Sequence, residues 1–143
     1  MKTHSHRLLT LLCATLLMAG GSSCASFHHR PADQAVKLRV ESFMTAKINK
    51  DWKTAYAFFD SSYQESISEK QFIRKMEKME VKAFSIESIS VEPDGDRVKV
   101  KVKCDVTVGG FDFKGNFETQ NWIEQDGEWF LNVPPKDTKE FFK

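Results

Sequence analysis

The apolar residues of this chain change their spacing near Lys82. Before that point, from Asp33 to Met79, they recur every three or four residues, which is the period of helices that bury one face. After it they alternate with polar residues, which is the period of strands. This order predicts an α+β domain, with N-terminal helices packed on a curved antiparallel sheet of about four strands.

The helical part of the sequence contains signals for three helices. They are predicted over residues 33–50, 51–60 and 68–79. Asp51 can cap the second helix, because its carboxylate can accept hydrogen bonds from free backbone N–H groups. Ser68 and Gln71 have the spacing of a capping box, which starts the third helix at Ser68. The Val, Phe and Met side chains at helical spacing are expected to form the core.

The clearest strand signal lies at residues 97–108. Valines dominate its even positions and are predicted to face the core. In the strand before it, the apolar residues change parity near Glu87 and Ser88, which predicts a bulge. The odd positions of residues 97–108 face the other way and carry the basic residues Arg97, Lys99, Lys101 and Lys103.

Gly109–Gly110 is predicted to form a two-residue hairpin loop after this strand. The resulting register places Val102 opposite Phe117 on the inner face. On the outer face it places Lys101 opposite Glu118, so that acidic residues lie across from part of the basic row. We therefore interpret the basic row as a solvated and partly paired surface.

The last hairpin decides which residues of the final strands face inward. A three-residue loop over residues 125–127 keeps Trp129 and Leu131 on the inner face. A two-residue Asp126–Gly127 loop would turn both outward on the same register. We therefore predict the three-residue loop, with Gly127 in the left-handed conformation.

This register selects four further residues of functional interest. Thr119 and Asn121 are the polar residues predicted on the inner face. Trp122 and Phe130 are predicted to form a pair on the outer face, where exposed aromatic side chains need cover. The C-terminal tail or a second copy of the protein can supply it, so both residues are candidates for an interface.

Residues 1–24 have the three parts of a signal peptide. Lys2 and Arg7 form a basic region, residues 8–19 an apolar run, and residues 20–23 a zone of small residues. The apolar run is shorter than the roughly 20 residues that a membrane-spanning helix needs. We expect a tether at 25–32, a folded domain at 33–135 and a tail at 136–143.

Cys24 follows Gly21, Ser22 and Ser23, a segment that resembles the lipobox of bacterial lipoproteins. The resemblance implies that Cys24 becomes the lipidated first residue and anchors the protein in the outer membrane, facing the periplasm. The other interpretation is cleavage after Ala25, which would release a soluble periplasmic protein.

The charge and the histidines argue against several functions. Loss of residues 1–24 leaves 19 of the 21 basic residues against all 20 acidic ones, so no general attraction to nucleic acid is expected. All four histidines precede residue 30, outside the predicted domain, which removes the commonest general base. Phosphate loops, zinc-ligand spacings and nucleophile elbows are absent from the sequence, so no metal or cofactor is predicted.

Two short segments resemble the nuclear-transport-factor-two-like superfamily. They are Asp51-Trp52 through Asp60, and Asp126-Gly127-Glu128-Trp129. The resemblance covers about residues 34–133 and implies a cystatin-like cone. Members include isomerases, dehydratases and epoxide hydrolases that set acids, tyrosines or histidines inside the cone. No such catalytic motif matches here, so the resemblance assigns no catalytic residue.

The sequence therefore favours a non-enzymatic binding module for a partner protein or an apolar ligand. Tyr56, Asp60 and Tyr63 are predicted near the mouth of the cone, and together with the inward Thr119 and Asn121 they are the candidate ligand-binding residues. One alternative is a small-molecule enzyme, similar to an isomerase or dehydratase, that uses Asp60 with Tyr56 or Tyr63. Another is a structural envelope protein that dimerises through its outer sheet face.

Overall fold

The computed structural model describes residues 30–133. The predicted signal peptide, Cys24, most of the tether and the tail lie outside this range. Four helices come first: α1 (Ala32–Ile48), α2 (Trp52–Tyr56), α3 (Ser61–Ser66) and α4 (Glu69–Met76). Four strands follow: β1 (Met79–Val91), β2 (Arg97–Val108), β3 (Phe111–Gln125) and β4 (Glu128–Asn132). The predicted α+β class is confirmed, and no helix within residues 30–133 is long and apolar enough to span a bilayer.

Helix α1 packs one face against the sheet. Val36, Val40, Phe43 and Met44 recur at steps of three and four and are buried at 3% exposure or less, as a helix with one apolar stripe requires. The next position on this stripe is Lys47, which is also buried. A cation therefore lies where the helical pattern calls for an apolar side chain.

The prediction of a single second helix up to Asp60 is wrong. Helix α2 ends at Tyr56, and Phe59 forms a parallel bridge with Leu131 of β4. Two backbone hydrogen bonds fix this bridge: the Leu131 N–H donates to Phe58 at 2.7 Å, and the Asp60 N–H donates to Leu131 at 3.1 Å. Pairing with a strand draws the chain out of the helix.

The predicted helix caps are confirmed. The Asp51 carboxylate accepts from the Thr54 N–H at 3.1 Å, and Ser68 and Gln71 form both halves of a capping box. Asp60 caps the unpredicted helix α3 in the same way. Each such cap stabilises its helix by satisfying a backbone N–H that has no partner within the first turn.

The sheet is antiparallel, with the strand order β1-β2-β3-β4. The register of β1 against β2 shifts between Ile86 and Ser88, which confirms the predicted bulge, and again between Val81 and Ala83. These shifts keep the apolar residues of β1 opposite the inner valines of β2, so one face of the sheet stays apolar beneath the helices.

The hairpin between β2 and β3 begins as predicted and then departs from the prediction. Val108 pairs with Phe111 and Val106 with Phe113, but Cys104 pairs with Asn116. Strand β3 therefore holds one extra residue. The extra residue lies around Gly115, which has a φ of 63° and donates its N–H to the Asp105 carboxylate at 2.7 Å. This is a bulge in which glycine supplies the left-handed conformation.

Every pairing beyond Gly115 is displaced by one residue. Val102 lies opposite Glu118, not Phe117, and Lys101 lies opposite Thr119, not Glu118. Because side chains alternate along a strand, a shift of one residue exchanges the two faces. The predicted cross-strand pair of Lys101 and Glu118 is therefore wrong.

The same shift corrects the last hairpin. Gln125 pairs with Glu128 across a two-residue Asp126–Gly127 loop, so the predicted three-residue loop is wrong. Both loop residues have positive φ, 52° and 81°, which confirms the left-handed Gly127 and matches the turn that suits a two-residue hairpin. Trp129 and Leu131 remain buried, because the bulge at Gly115 has already exchanged the faces of β3.

Trp122 is buried in the core and does not pair with Phe130 on the outer face of the sheet. Its side chain is 0% exposed, and its indole meets the rings of Phe43 and Phe58 edge to face at 6.1 and 6.3 Å. Phe130 is half-buried, with the Arg39 guanidinium 5.7 Å from its ring centre. The predicted placement of Trp122 at an interface is wrong, because the side chain points to the helices.

Candidate functional site

A cavity of about 330 Å³ opens between the helices and the inner face of β3 and β4. Most of its wall is apolar. This wall includes Phe43, Trp52, Phe59, Phe72, Met76 and Leu131. A concave, largely apolar pocket with a few polar groups is the usual form of a small-molecule site, and this volume lies at the small end of the usual range.

Lys47 and Glu118 supply charge to this wall. The Lys47 ammonium lies 3.0 Å from the Glu118 carboxylate, with side chains that are 10% and 33% exposed. The same ammonium lies 5.1 Å from the centre of the Phe43 ring, a distance at which a cation is attracted to an aromatic face. A buried lysine needs such partners, because removing its charge from water is costly.

Gln120 links this ion pair to the core. Its amide N–H groups donate to the second oxygen of Glu118 at 2.9 Å and contact the Met44 sulfur at 3.5 Å. Its amide oxygen accepts from the Trp122 indole N–H at 3.1 Å. Hydrogen bonds therefore connect Lys47, Glu118, Gln120 and Trp122 in one continuous network, which holds their side chains in place.

Three polar residues of this network, Lys47, Glu118 and Gln120, were not predicted from the sequence as part of the site. For Lys47 a signal was present: it follows Met44 by three residues and Phe43 by four, on the apolar stripe of α1. For Glu118 and Gln120 the signal was Gly115, because an isolated glycine within a strand pattern often marks a bulge. A bulge at that point turns both residues inward.

Of the three predicted mouth residues, Tyr63 alone lines the cavity. Its ring stacks on Phe59 with centres 4.2 Å apart. Burial raises the pKa of its hydroxyl, and the nearby Tyr56 raises that pKa further. Tyr63 therefore contributes a neutral hydroxyl and an aromatic surface, not a base.

Asp60 and Tyr56 lie outside the cavity lining, and their side chains form hydrogen bonds to other parts of the fold. Asp60 is 2% exposed, and its carboxylate accepts from the Tyr63 N–H at 2.8 Å and from the Asn132 side chain. The Tyr56 hydroxyl is 2.7 Å from the Ile67 carbonyl, to which it donates. Asp60 and Tyr56 thus have structural partners, and of the three predicted mouth residues Tyr63 alone lines the cavity with Lys47 and Glu118.

Thr119 and Asn121, both predicted as ligand-binding residues, also line the cavity. The inward positions of this segment are nevertheless Glu118 and Gln120, because Lys101 pairs with Thr119 on the outer row. The prediction that Thr119 and Asn121 are the polar residues of the inner face is therefore wrong.

Cys104 lies behind the ion pair and is 3% exposed. Burial raises the pKa of its thiol, and the nearby Glu118 carboxylate raises it further. The neutral thiol is a poor nucleophile, since the thiolate is the reactive form. Within residues 30–133 no group of three or more His, Cys, Asp or Glu side chains is arranged to hold a metal ion.

Comparison with solved structures identifies the architecture. An NTF2-like protein from Cytophaga hutchinsonii aligns with a TM-score of 0.52 and 17% identity, covering 68% of this chain and 91% of that one. The domain has the NTF2-like fold. An NTF2-like family protein from Streptomyces avermitilis aligns with a TM-score of 0.50 and 15% identity, covering 69% and 89% of the two chains.

The domain also aligns with part of a protein from Psychrobacter arcticus that contains a SEC-C motif. The TM-score is 0.58 at 7% identity, and the match covers 71% of this chain and 60% of that one. No model of a protein family matches the sequence. No curated protein matches it either.

Proposed function

We propose that this domain is a non-enzymatic binding module that holds one small, mostly apolar molecule in the cavity. The observation that carries the proposal is the partly buried ion pair of Lys47 and Glu118 in a mostly apolar wall. Apolar walls supply affinity through the area that they remove from water, and the few polar groups fix the ligand's orientation.

The ion pair is poorly explained by stability alone. A buried salt bridge contributes little net stability, since the cost of removing both charges from water offsets their attraction. At a cavity wall, the pair offers a ligand both an ammonium donor and a carboxylate acceptor. We therefore expect a ligand with an apolar body and one polar group that can donate or accept hydrogen bonds.

A binding role fits the polar groups better than a catalytic one. Asp60 and Tyr56 are held by hydrogen bonds within the fold, and burial keeps Cys104 and Tyr63 protonated. A general base needs free access to the proton that it removes. Lys47 and Glu118 are bonded to each other and serve best to orient a polar group.

The test is to block the cavity without disturbing the core. Val133 lines the cavity and is 44% exposed, so Val133→Trp can obstruct the cavity at little cost to packing. Val91 on β1 is equally exposed and lies outside the cavity lining, which makes Val91→Trp the matched control. We expect the fluorescent probe 1-anilinonaphthalene-8-sulfonate to bind the parent and the control with the same affinity, and Val133→Trp at least ten times more weakly.

Native mass spectrometry of protein purified gently from its own host extends this test. A retained molecule of defined mass, present in the parent and in Val91→Trp and absent from Val133→Trp, would identify the natural ligand. Equal probe binding by all three proteins would mean that the dye sits on the surface, and the proposal would fail.

We also propose that the protein is exported and anchored to the bacterial membrane through a lipid on Cys24. The support is the signal-peptide pattern of residues 1–24, with Cys24 after three small residues. In cells that make the full chain, we expect mass spectrometry to find an acylated Cys24 as the first residue. Cys24→Ala should lose the lipid, whereas Cys13→Ala should keep it. An unmodified N-terminus after residue 24 would favour release as a soluble protein.

A further inference from the structure

The outer face of β2 carries a straight row of four cations. Arg97, Lys99, Lys101 and Lys103 occupy alternate positions and are all exposed. Side chains two residues apart on a strand are separated by about 6.8 Å, so the row extends over about 20 Å. The whole chain has a formal net charge of +1, which makes this row a local feature.

The register leaves Lys99, Lys101 and Lys103 without acidic residues directly opposite them, whereas Arg97 lies across from Glu92, whose N–H donates to the Arg97 carbonyl at 2.9 Å. On β1 the residues opposite Lys99, Lys101 and Lys103 are Ser90, Ser88 and Ser85, and on β3 they are Asn121, Thr119 and Phe117. Within residues 30–133 none of the four cations forms an ion pair. Glu118, the partner that the sequence suggested for Lys101, is bound to Lys47 on the opposite face.

Two further acids lie near the lysines along the sheet, and each accepts a hydrogen bond from a neutral group. The Asp105 carboxylate, which ends the row, accepts from the Gly115 N–H at 2.7 Å. The Glu87 carboxylate, in the bulge of β1, accepts from the Ser85 hydroxyl at 2.7 Å. Lys99, Lys101 and Lys103 therefore place three like charges side by side with no acid directly opposite them, and this local excess of positive charge attracts anions.

We propose that this face binds an acidic polysaccharide. A linear chain of sugars can present acid groups along the cation row, where each ammonium or guanidinium can donate charge-assisted hydrogen bonds. The serine hydroxyls beside the row can pair with sugar hydroxyls, since both groups donate and accept.

The same face is less suited to other anionic partners. Single-stranded nucleic acid needs aromatic rings on which bases stack, and the Lys101 ammonium covers the Phe117 ring at 4.3 Å from its centre. A bilayer surface favours apolar side chains that enter the headgroup region, whereas five of the six residues opposite Lys99, Lys101 and Lys103 are polar and only Phe117 is apolar.

The experiment measures binding of the purified full chain to heparin and to polygalacturonate, which carry different acid groups. The test variant is Lys99→Gln/Lys101→Gln/Lys103→Gln. The control removes the same charge from three exposed helix or turn positions, as Lys37→Gln/Lys53→Gln/Lys70→Gln. We expect the test variant to bind at least one glycan ten times more weakly, with a shallower dependence on salt, and the control to change the affinity less than threefold.

Circular dichroism establishes that both variants fold, so that a loss of binding reports the row itself. Equal losses in the two variants would mean a response to net charge, and absence of glycan binding by the parent would also overturn the proposal. Tighter binding to a single-stranded oligonucleotide or to phosphatidylglycerol vesicles than to either glycan would assign the face to a different partner. The cavity variants should not alter glycan binding, because they lie on the other face.

Discussion

The two halves of β3 differ in the exposure of their side chains, and hydrophobicity does not explain the difference. Before Gly115, Phe111 and Phe113 are apolar and yet 71% and 51% exposed. After it, Gln120 is polar and yet 2% exposed. The first half extends past the helices, while the second half lies beneath α1 and finds hydrogen-bond partners there.

A side chain of β3 is therefore buried when it lies under the helices, provided that its polar atoms find hydrogen-bond partners there. A polar side chain can be buried when its hydrogen bonds are satisfied. Within residues 30–133, no buried side-chain nitrogen or oxygen is left without a partner. The second half of β3 can therefore build a polar site within the core.

The largest test of this comparison removes one aromatic ring from each half. Trp122→Ala should lower the free energy of unfolding by about 3–5 kcal/mol, because it leaves a large cavity between α1 and the sheet. Phe111→Ala should change it by less than about 0.5 kcal/mol, since the ring is mostly in water. Urea denaturation of both variants provides the measurement. Equal losses would mean that the tip of the hairpin is covered in solution.

A smaller effect is expected from the ion pair. Lys47→Met should destabilise the domain by about 1–3 kcal/mol, because it leaves the Glu118 carboxylate partly buried without its cation. Lys47→Met/Glu118→Leu should recover most of that loss, since an apolar pair needs no compensating charge. A double-mutant cycle by urea denaturation measures the coupling. A double variant as unstable as the sum of the single ones would show that the pair is not coupled.

The smallest effect is expected at the bulge itself. Gly115→Ala should cost about 1–2 kcal/mol, because an alanine at positive φ is strained. Its Cβ would also lie 3.2 Å from the Lys103 side chain. Gly95→Ala, at a φ of 77° with nothing within 4 Å, carries the strain alone and should cost less. If Gly115→Ala stabilised the domain, the left-handed bulge would be contradicted.

Much of the architecture could be predicted from the sequence, because repeated local signals determine it. The helical spacing of Val36, Val40 and Phe43 and the alternation of the β2 valines each involve many residues that agree. The caps at Asp51 and Ser68 depend only on neighbours within one turn. Local signals of this kind do not require knowledge of the tertiary structure.

The errors all arise where one residue or one tertiary contact decides the outcome. An extra residue at Gly115 exchanges the faces of the rest of β3. For this reason Trp122 was predicted on the outer face, and Glu118 and Gln120 were not predicted on the inner face. If β3 had no extra residue, only a three-residue loop at residues 125–127 would keep Trp129 and Leu131 on the inner face. The extra residue at Gly115 removes that requirement, and the loop has two residues. Helix α2 ends early because Phe59 pairs with Leu131, which lies 72 residues later in the sequence. No local sequence pattern predicts that contact.

The bulge at Gly115 has a consequence for self-association. Strand β4 ends its pairing at Asn121, so within residues 30–133 the earlier part of β3 has no partner strand on that side. An open strand edge can recruit a strand from another molecule and begin aggregation. Here the bulge divides that edge into two short stretches that a continuous partner strand cannot follow in register. The glycine that shapes the cavity also interrupts this open edge of β3, which makes it a poorer template for a strand from another molecule.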